Sequence, residues 1–136
     1  AGADRPLSAK EKRWSTTMAP ADARQEAIQG HLRDGEQVLK MGVLRKSKTG
    51  GMMAWLTRRE RLLVLTDWPR VLYLDPGALE LKGTIPLDSG EWACRQRRGG
   101  FVLEHQDGTG WTFEAPEQQA EQWALEIIER LPMRGE

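Results

Sequence analysis

From Glu36 to Glu114 the chain meets a turn signal about every ten residues, the spacing of a small antiparallel sandwich or barrel. The signals include Thr49-Gly50-Gly51, Asp67-Trp68-Pro69, Asp75-Pro76-Gly77, Arg97-Arg98-Gly99-Gly100 and Asp107-Gly108-Thr109-Gly110. Between them lie seven short segments that read as strands: Val38 to about Arg45, Arg61 to Thr66, Arg70 to Leu74, Leu79 to Ile85, Glu91 to Arg95, Phe101 to His105, and Trp111 to Glu114. Arg61 to Thr66 has the continuous apolar run of a buried strand. Leu79, Leu81, Gly83 and Ile85 alternate with Glu80, Lys82 and Thr84, the pattern of a half-buried one.

After Pro116 the period changes. Ala120, Trp123, Ala124, Ile127, Ile128 and Leu131 recur at three- and four-residue spacing, which specifies one amphipathic helix ended by Pro132. Seven strands followed by one apolar-faced helix imply an open-ended barrel plugged by that helix. Trp123 is the expected plug, because one large ring fills such an opening.

Upstream, residues 1–20 are polar and mixed and read as a linker, with Trp14 able to dock on the domain. Residues 21–35 form a short helical extension with a narrow apolar stripe of Ala21, Ala23, Ala27, Ile28 and Leu32. Residues 36–133 are the domain proper. The fold class is therefore mainly β, a seven-stranded antiparallel barrel or sandwich capped by a C-terminal helix.

Charge narrows the function. The 20 basic and 20 acidic residues cancel, which disfavours a general nucleic-acid binder. The cancellation hides polarity: Lys40 to Arg61 holds seven basic residues and one acidic, and Asp107 to Glu136 holds seven acidic and two basic. A molecule polarised in this way orients at an anionic surface, although either run also reads as a solvated face. The single Cys94 forms no intrachain disulfide, and with only His31 and His105 there is no metal-ligand spacing. No catalytic set, cofactor motif, membrane span or signal peptide is visible, so a cytoplasmic setting with peripheral membrane contact is expected.

The basic stretch has a definite geometry. Residues two apart on a strand share a face, so Lys46 and Lys48 point one way together, as do Arg59 and Arg61. If the two strands pair as a hairpin, four cations converge on one mouth. Such a cluster repels itself unless an anion occupies it, and it reads as a phosphate site. Arg45 and Arg58 are expected to face solvent or a lipid surface. Met52, Met53 and Trp55 in the intervening loop either enter a lipid interface or, for Trp55, pack on the barrel. Arg95, Arg97 and Arg98 form a second basic patch, readable as a solvated turn or as an aid at an anionic membrane. His105 and Cys94 read as ordinary strand residues.

Seven strands, a basic first hairpin and a closing helix with a central tryptophan resemble the pleckstrin homology domain. More closely, Leu39-Lys40-Met41-Gly42, Arg59-Glu60-Arg61 leading into Leu63-Val64-Leu65-Thr66, Leu72-Tyr73-Leu74-Asp75-Pro76 and Leu81-Lys82-Gly83-Thr84-Ile85-Pro86 are similar to the C-terminal domain of the 3-phosphoinositide-dependent protein kinases. The similarity runs from residue 36 to about 131. It implies binding of 3-phosphorylated phosphoinositides and soluble inositol polyphosphates, an N-terminal extension packed on the barrel, and recruitment of a parent serine/threonine kinase to the plasma membrane. The kinase motifs themselves are absent from this chain, which is not expected to be an enzyme. The resemblance carries phosphate binding onto Lys46, Arg59, Arg61 and Lys82, and also onto Lys48 across a longer loop. Lys82 reads equally as the exposed phase of its strand. Where the family has one more basic residue, between the last two strands, this chain has Thr109, which implies fewer phosphate contacts. The parent kinase domain is a further expected partner, and a regulatory module with weak, nonspecific anionic-lipid binding is the competing reading.

Overall fold

The computed structural model describes residues 18–49 and 54–132. Trp14, Met52, Met53 and the side chain of Trp55, with the roles expected of them, lie outside the described residues. The elements are α1 (Ala21–His31), β1 (Val38–Lys48), a short 3-10 turn (Ala54–Thr57), β2 (Arg59–Thr66), β3 (Arg70–Leu74), β4 (Leu81–Pro86), β5 (Trp92–Arg97), β6 (Gly100–His105), β7 (Gly110–Glu114) and α2 (Glu117–Arg130). The seven strands form one antiparallel sheet in the order β4-β3-β2-β1-β7-β6-β5.

The sheet rolls around an apolar interior. Leu44, Leu63, Leu65, Val71 and Ile85 from one half meet Phe101, Leu103 and Phe113 from the other, with Phe101 and Phe113 stacked at 5.0 Å. Helix α2 closes the interior with Ala120, Trp123, Ala124 and Ile127, and Trp123 is 1% exposed. It is the expected plug. The ring lies against Gly42 of β1, where an added Cβ would meet its indole nitrogen at 3.6 Å, an ordinary packing contact.

A second apolar layer lies on the outside of β2 and β3. Ile28 of α1 covers Leu62, Val64, Leu72 and Leu74, flanked by Leu32, Val38 and Val43. This explains the continuous apolar run of β2: Leu63 and Leu65 face the interior, while Leu62 and Val64 face α1. The helical extension is packed on the barrel, as expected.

Buried Glu36 fastens that layer. Its carboxylate accepts Nε and Nη2 of Arg70, each at 2.7 Å, the Thr66 hydroxyl, and the Arg33 amide at 3.0 Å. Arg70 also donates to the His31 carbonyl at 2.9 Å, at the end of α1. The Arg70 guanidinium is the main reason the Glu36 carboxyl is held down at about 2.

Four strands differ from the sequence expectation by two residues or more: β2 starts at Arg59, not Arg61, and β5 runs on to Arg97, not Arg95. β1 runs on to Lys48 because Arg45 to Lys48 also pair with β7. β4 starts at Leu81, not Leu79. Leu79 has φ 62 and belongs to the preceding turn, where its amide donates to the Asp75 carbonyl at 2.8 Å. Leu81 is 39% exposed, because the register shift at Lys82 takes it out of the inward phase, and the alternation holds only from Gly83 to Ile85.

Candidate functional site

Three connections surround one end of the barrel. The β1–β2 connection begins there, and the amide of Thr49 donates to the Gly110 carbonyl at 3.1 Å, bringing the β6–β7 turn alongside. Leu62 pairs with Leu74, which sets the Asp75–Glu80 turn beside the start of β2. At this end the inward-facing rows change chemistry. β1 passes from Leu44 to Lys46 and Lys48, and β2 passes backwards from Leu63 to Arg61 and Arg59. Lys46 lies directly opposite Arg59, and Leu44 opposite Arg61. The cations therefore stand on the rows of the core, carried past its edge.

Lys46 is the most constrained of them. Its ammonium lies 3.6 Å from the Trp111 ring centre and 4.2 Å from that of Tyr73. Burial, then the positive charges of Arg61 and Lys48, depress its pKa to about 8. The ring faces offset part of that cost, by about 0.5–2 kcal/mol. Burial also raises the Tyr73 hydroxyl above its usual range. Gly83 makes the arrangement feasible: it pairs with Tyr73, and a Cβ there would collide with the Tyr73 hydroxyl. Gly83→Ala is accordingly expected to push the ring off Lys46 and move the amine's titration back toward that of a free lysine, a change read by NMR titration.

Arg59 and Arg61 are parked on internal acceptors. Arg59 Nη1 donates to the carbonyls of Leu56 at 3.1 Å and Arg58 at 2.8 Å. Arg61 Nη1 donates to the Glu60 carbonyl at 3.0 Å and stands 3.9 Å from Asp75 Oδ1. Both arginines line a cleft of about 490 Å³, together with Arg58, Glu60 and the turn residues Asp75, Pro76 and Gly77. Lys46 stands beside this cleft, electrostatically coupled to it through Arg61. Lys48 is exposed at the rim.

Lys82 sits apart. The register of β3 and β4 is irregular between Tyr73 and Leu74, and Lys82 falls at that irregularity. Its ammonium bonds to Glu80 at 3.1 Å and acts on Asp75, but it does not line the cleft. At the β6–β7 turn, Thr109 donates through both its amide and its hydroxyl to Asp107, so this turn presents a carboxylate. On the outer face Arg45 meets Glu60 at 3.7 Å and Arg58 meets Glu114 at 3.4 Å, so these arginines are ion-paired and not simply solvent-facing. Arg95 is bonded to Glu104. His105 packs edge-on against Trp92 at 4.8 Å, and burial raises the Cys94 thiol to about 12, which leaves it unreactive. Among the described residues, no group of His, Cys, Asp and Glu could hold a metal ion, and no helix is long and apolar enough to cross a membrane.

Sequence reasoning missed Tyr73 and Trp111 as walls and Asp75 as a countercharge. The signal was the inward phase shared by Trp111 and Phe113, which becomes informative only once β7 is known to pair with Lys48 and Lys46.

A model of the PH domain family matches residues 26–135. The chain is a PH domain. Its relatives include the probable serine/threonine-protein kinase pdkA of Dictyostelium discoideum, 42% identical over 73 residues, which are 54% of this chain and 10% of that protein. The 3-phosphoinositide-dependent protein kinase B of the same organism is 27% identical over 120 residues, 88% of this PH domain and 11% of the kinase. The chain thus spans about a tenth of the length of these relatives. Among solved structures, the C-terminal PH domain of pleckstrin in complex with D-myo-Ins(1,2,3,4,5)P5 superposes with a TM-score of 0.59 at 21% identity, covering 71% of this chain and all of that one. The complex of that domain with D-myo-Ins(1,2,3,5,6)P5 gives 0.56 at 21% identity, covering 71% and 97%. At that identity the likeness establishes the PH fold.

Proposed function

We infer that the barrel mouth holds the phosphorylated headgroup of an inositol lipid, of the 3-phosphorylated class, and that this PH domain brings a parent serine/threonine kinase to the plasma membrane. The carrying observation is the change of the inward rows from Leu44 and Leu63 to Lys46, Arg59 and Arg61. Arginine forks engage two phosphate oxygens at once, whereas a lysine is a point charge. Arg59 and Arg61 give directional contacts, Lys46 supplies a fixed charge beside them, Lys48 stands at the rim, and Lys82, bonded to Glu80, is set back as an outlying charge. Three or four charge-assisted bonds of about 1.5–3 kcal/mol each suffice for micromolar binding or better. The name of the Dictyostelium 3-phosphoinositide-dependent kinase and the inositol pentakisphosphate complexes of pleckstrin both agree with this chemistry. Soluble inositol polyphosphates are the corresponding free ligands.

The test is cosedimentation with vesicles carrying each phosphoinositide in turn. Wild type is expected to prefer 3-phosphorylated lipids, and Arg59→Ala and Arg61→Ala each to lose about tenfold or more in affinity. Binding that follows vesicle charge alone and ignores either arginine contradicts the reading. A regulatory role against the kinase domain is the second reading. It is favoured by the neutral Thr109 beside Asp107 and by the engagement of Lys82 with Glu80, both of which reduce the cations available to a headgroup.

A further inference from the structure

We propose that Asp75 is the internal counter-ion of this site, a carboxylate that competes with an incoming phosphate for Arg61 and so sets how much negative charge a ligand must carry to be held. The proposal rests on the reading of the mouth as a phosphate site. Asp75 divides its two oxygens. Oδ2 accepts the amides of Gly77 at 3.1 Å and Ala78 at 2.6 Å, while Oδ1 faces Arg61 at 3.9 Å. The first pair of bonds fixes the carboxylate in the wall of the cleft. The wall is tied down further, since the amide of Asp75 donates to the Glu80 carbonyl at 2.9 Å and that of Ala19 to the Pro76 carbonyl at 3.0 Å. Asp75 therefore cannot swing clear when a ligand arrives.

The second contact is too long for a hydrogen bond. It biases Arg61 without saturating a guanidinium that has five donors. The turn amides of Ala78 and Gly77, then Arg61 and Lys82, hold the Asp75 carboxyl below its ordinary range, so it stays charged at neutral pH. A singly phosphorylated or carboxylate anion meets a pocket already partly countered. A polyphosphate, reaching Lys46 and Arg59 at the same time, draws Arg61 off the fixed carboxylate.

The experiment is calorimetric titration of the intact chain with inositol 1,3,4,5-tetrakisphosphate and with inorganic phosphate. Asp75→Asn and Asp75→Ser keep an acceptor for the turn amides and remove the charge. Each is measured alone and combined with Arg61→Gln. Both neutral variants are expected to tighten the tetrakisphosphate by about three- to tenfold and to make inorganic phosphate binding detectable. The gain should vanish in the Arg61→Gln background. Unchanged or weaker affinity in both variants at unchanged melting temperature overturns the proposal. So does an equal gain with and without Arg61, because the carboxylate would then be acting on the ligand directly. No binding of the tetrakisphosphate to wild type overturns the phosphate-site reading, and this inference with it.

Discussion

Lys46→Met is expected to abolish inositol-phosphate binding, by about a hundredfold or more, while stabilising the unliganded domain by about 1–2 kcal/mol. The two effects have one cause. The ammonium is half-buried between Tyr73 and Trp111 and close to two other cations, so the empty fold holds it at a cost. Water reaching the partly open amine screens the charge and keeps that cost small. Methionine keeps the unbranched stem and its ring contacts but carries no charge. The sign can be followed with pH. The folded pKa, about 8, lies below the ordinary lysine value of 10.5, so the unfolded chain binds more protons between them. Wild-type stability should therefore rise above about pH 8, and Lys46→Met should not share the rise. Above pH 9 Cys94, and above pH 10 Tyr73, each with a raised pKa, act in the opposite sense, so the useful window is about pH 8–9. Ligand affinity should fall through the same window as the amine loses its proton. Chemical denaturation across this range, with a parallel titration of ligand, measures both. Equal stability of the two proteins, or retained binding by Lys46→Met, would rule out a costly buried charge that serves the ligand.

Glu36→Gln is expected to destabilise the domain by about 3 kcal/mol, because it leaves the Arg70 guanidinium with a neutral partner in a nearly closed site. That corresponds to a melting temperature lower by about 10 °C or more. The folded pKa of Glu36 is depressed, so its contribution is fully present above pH 4.5 and is lost as pH falls toward about 2. Arg70→Met alone should cost a similar amount, since it strands the carboxylate. A double replacement, Glu36→Leu with Arg70→Met, should cost far less than the sum. Additive losses would show that the pair does not act as a unit. The consequence for function is indirect but definite. Arg70 joins the end of α1 to β3, and the next turn along β3 carries Asp75 at the mouth.

Much of the fold was legible because turn chemistry and period carry it. Thr49-Gly50, Asp75-Pro76-Gly77 and Asp107-Gly108 mark reversals, and Ala120, Trp123, Ala124 and Ile127 mark a helix face, irrespective of what packs on them. The start of β4 was not legible. Leu79 continues an alternating pattern, and only its left-handed backbone, closed onto Asp75, places it in a turn. The cationic rows of the site were legible from two-residue spacing alone. Their surroundings were not. Whether Lys46 meets rings, or Arg61 meets a carboxylate, depends on the register of β1 with β7 and on where the 75–80 turn falls in space. Arg45 and Arg58 illustrate the same limit: in sequence they belong to the basic run, and in the fold they face Glu60 and Glu114.

The proposed phosphate site is the group of inward-facing cations at one end of the barrel. Backbone amide shifts during titration with a soluble inositol polyphosphate locate the ligand residue by residue. Large shifts are expected on Lys46 and Lys48, on Arg58 to Arg61, and on Tyr73 to Gly77. Shifts concentrated instead on the Arg97–Arg98 turn, or on the separate cavity between α1 and β1 lined by Gln25, Ile28 and Met41, would contradict it.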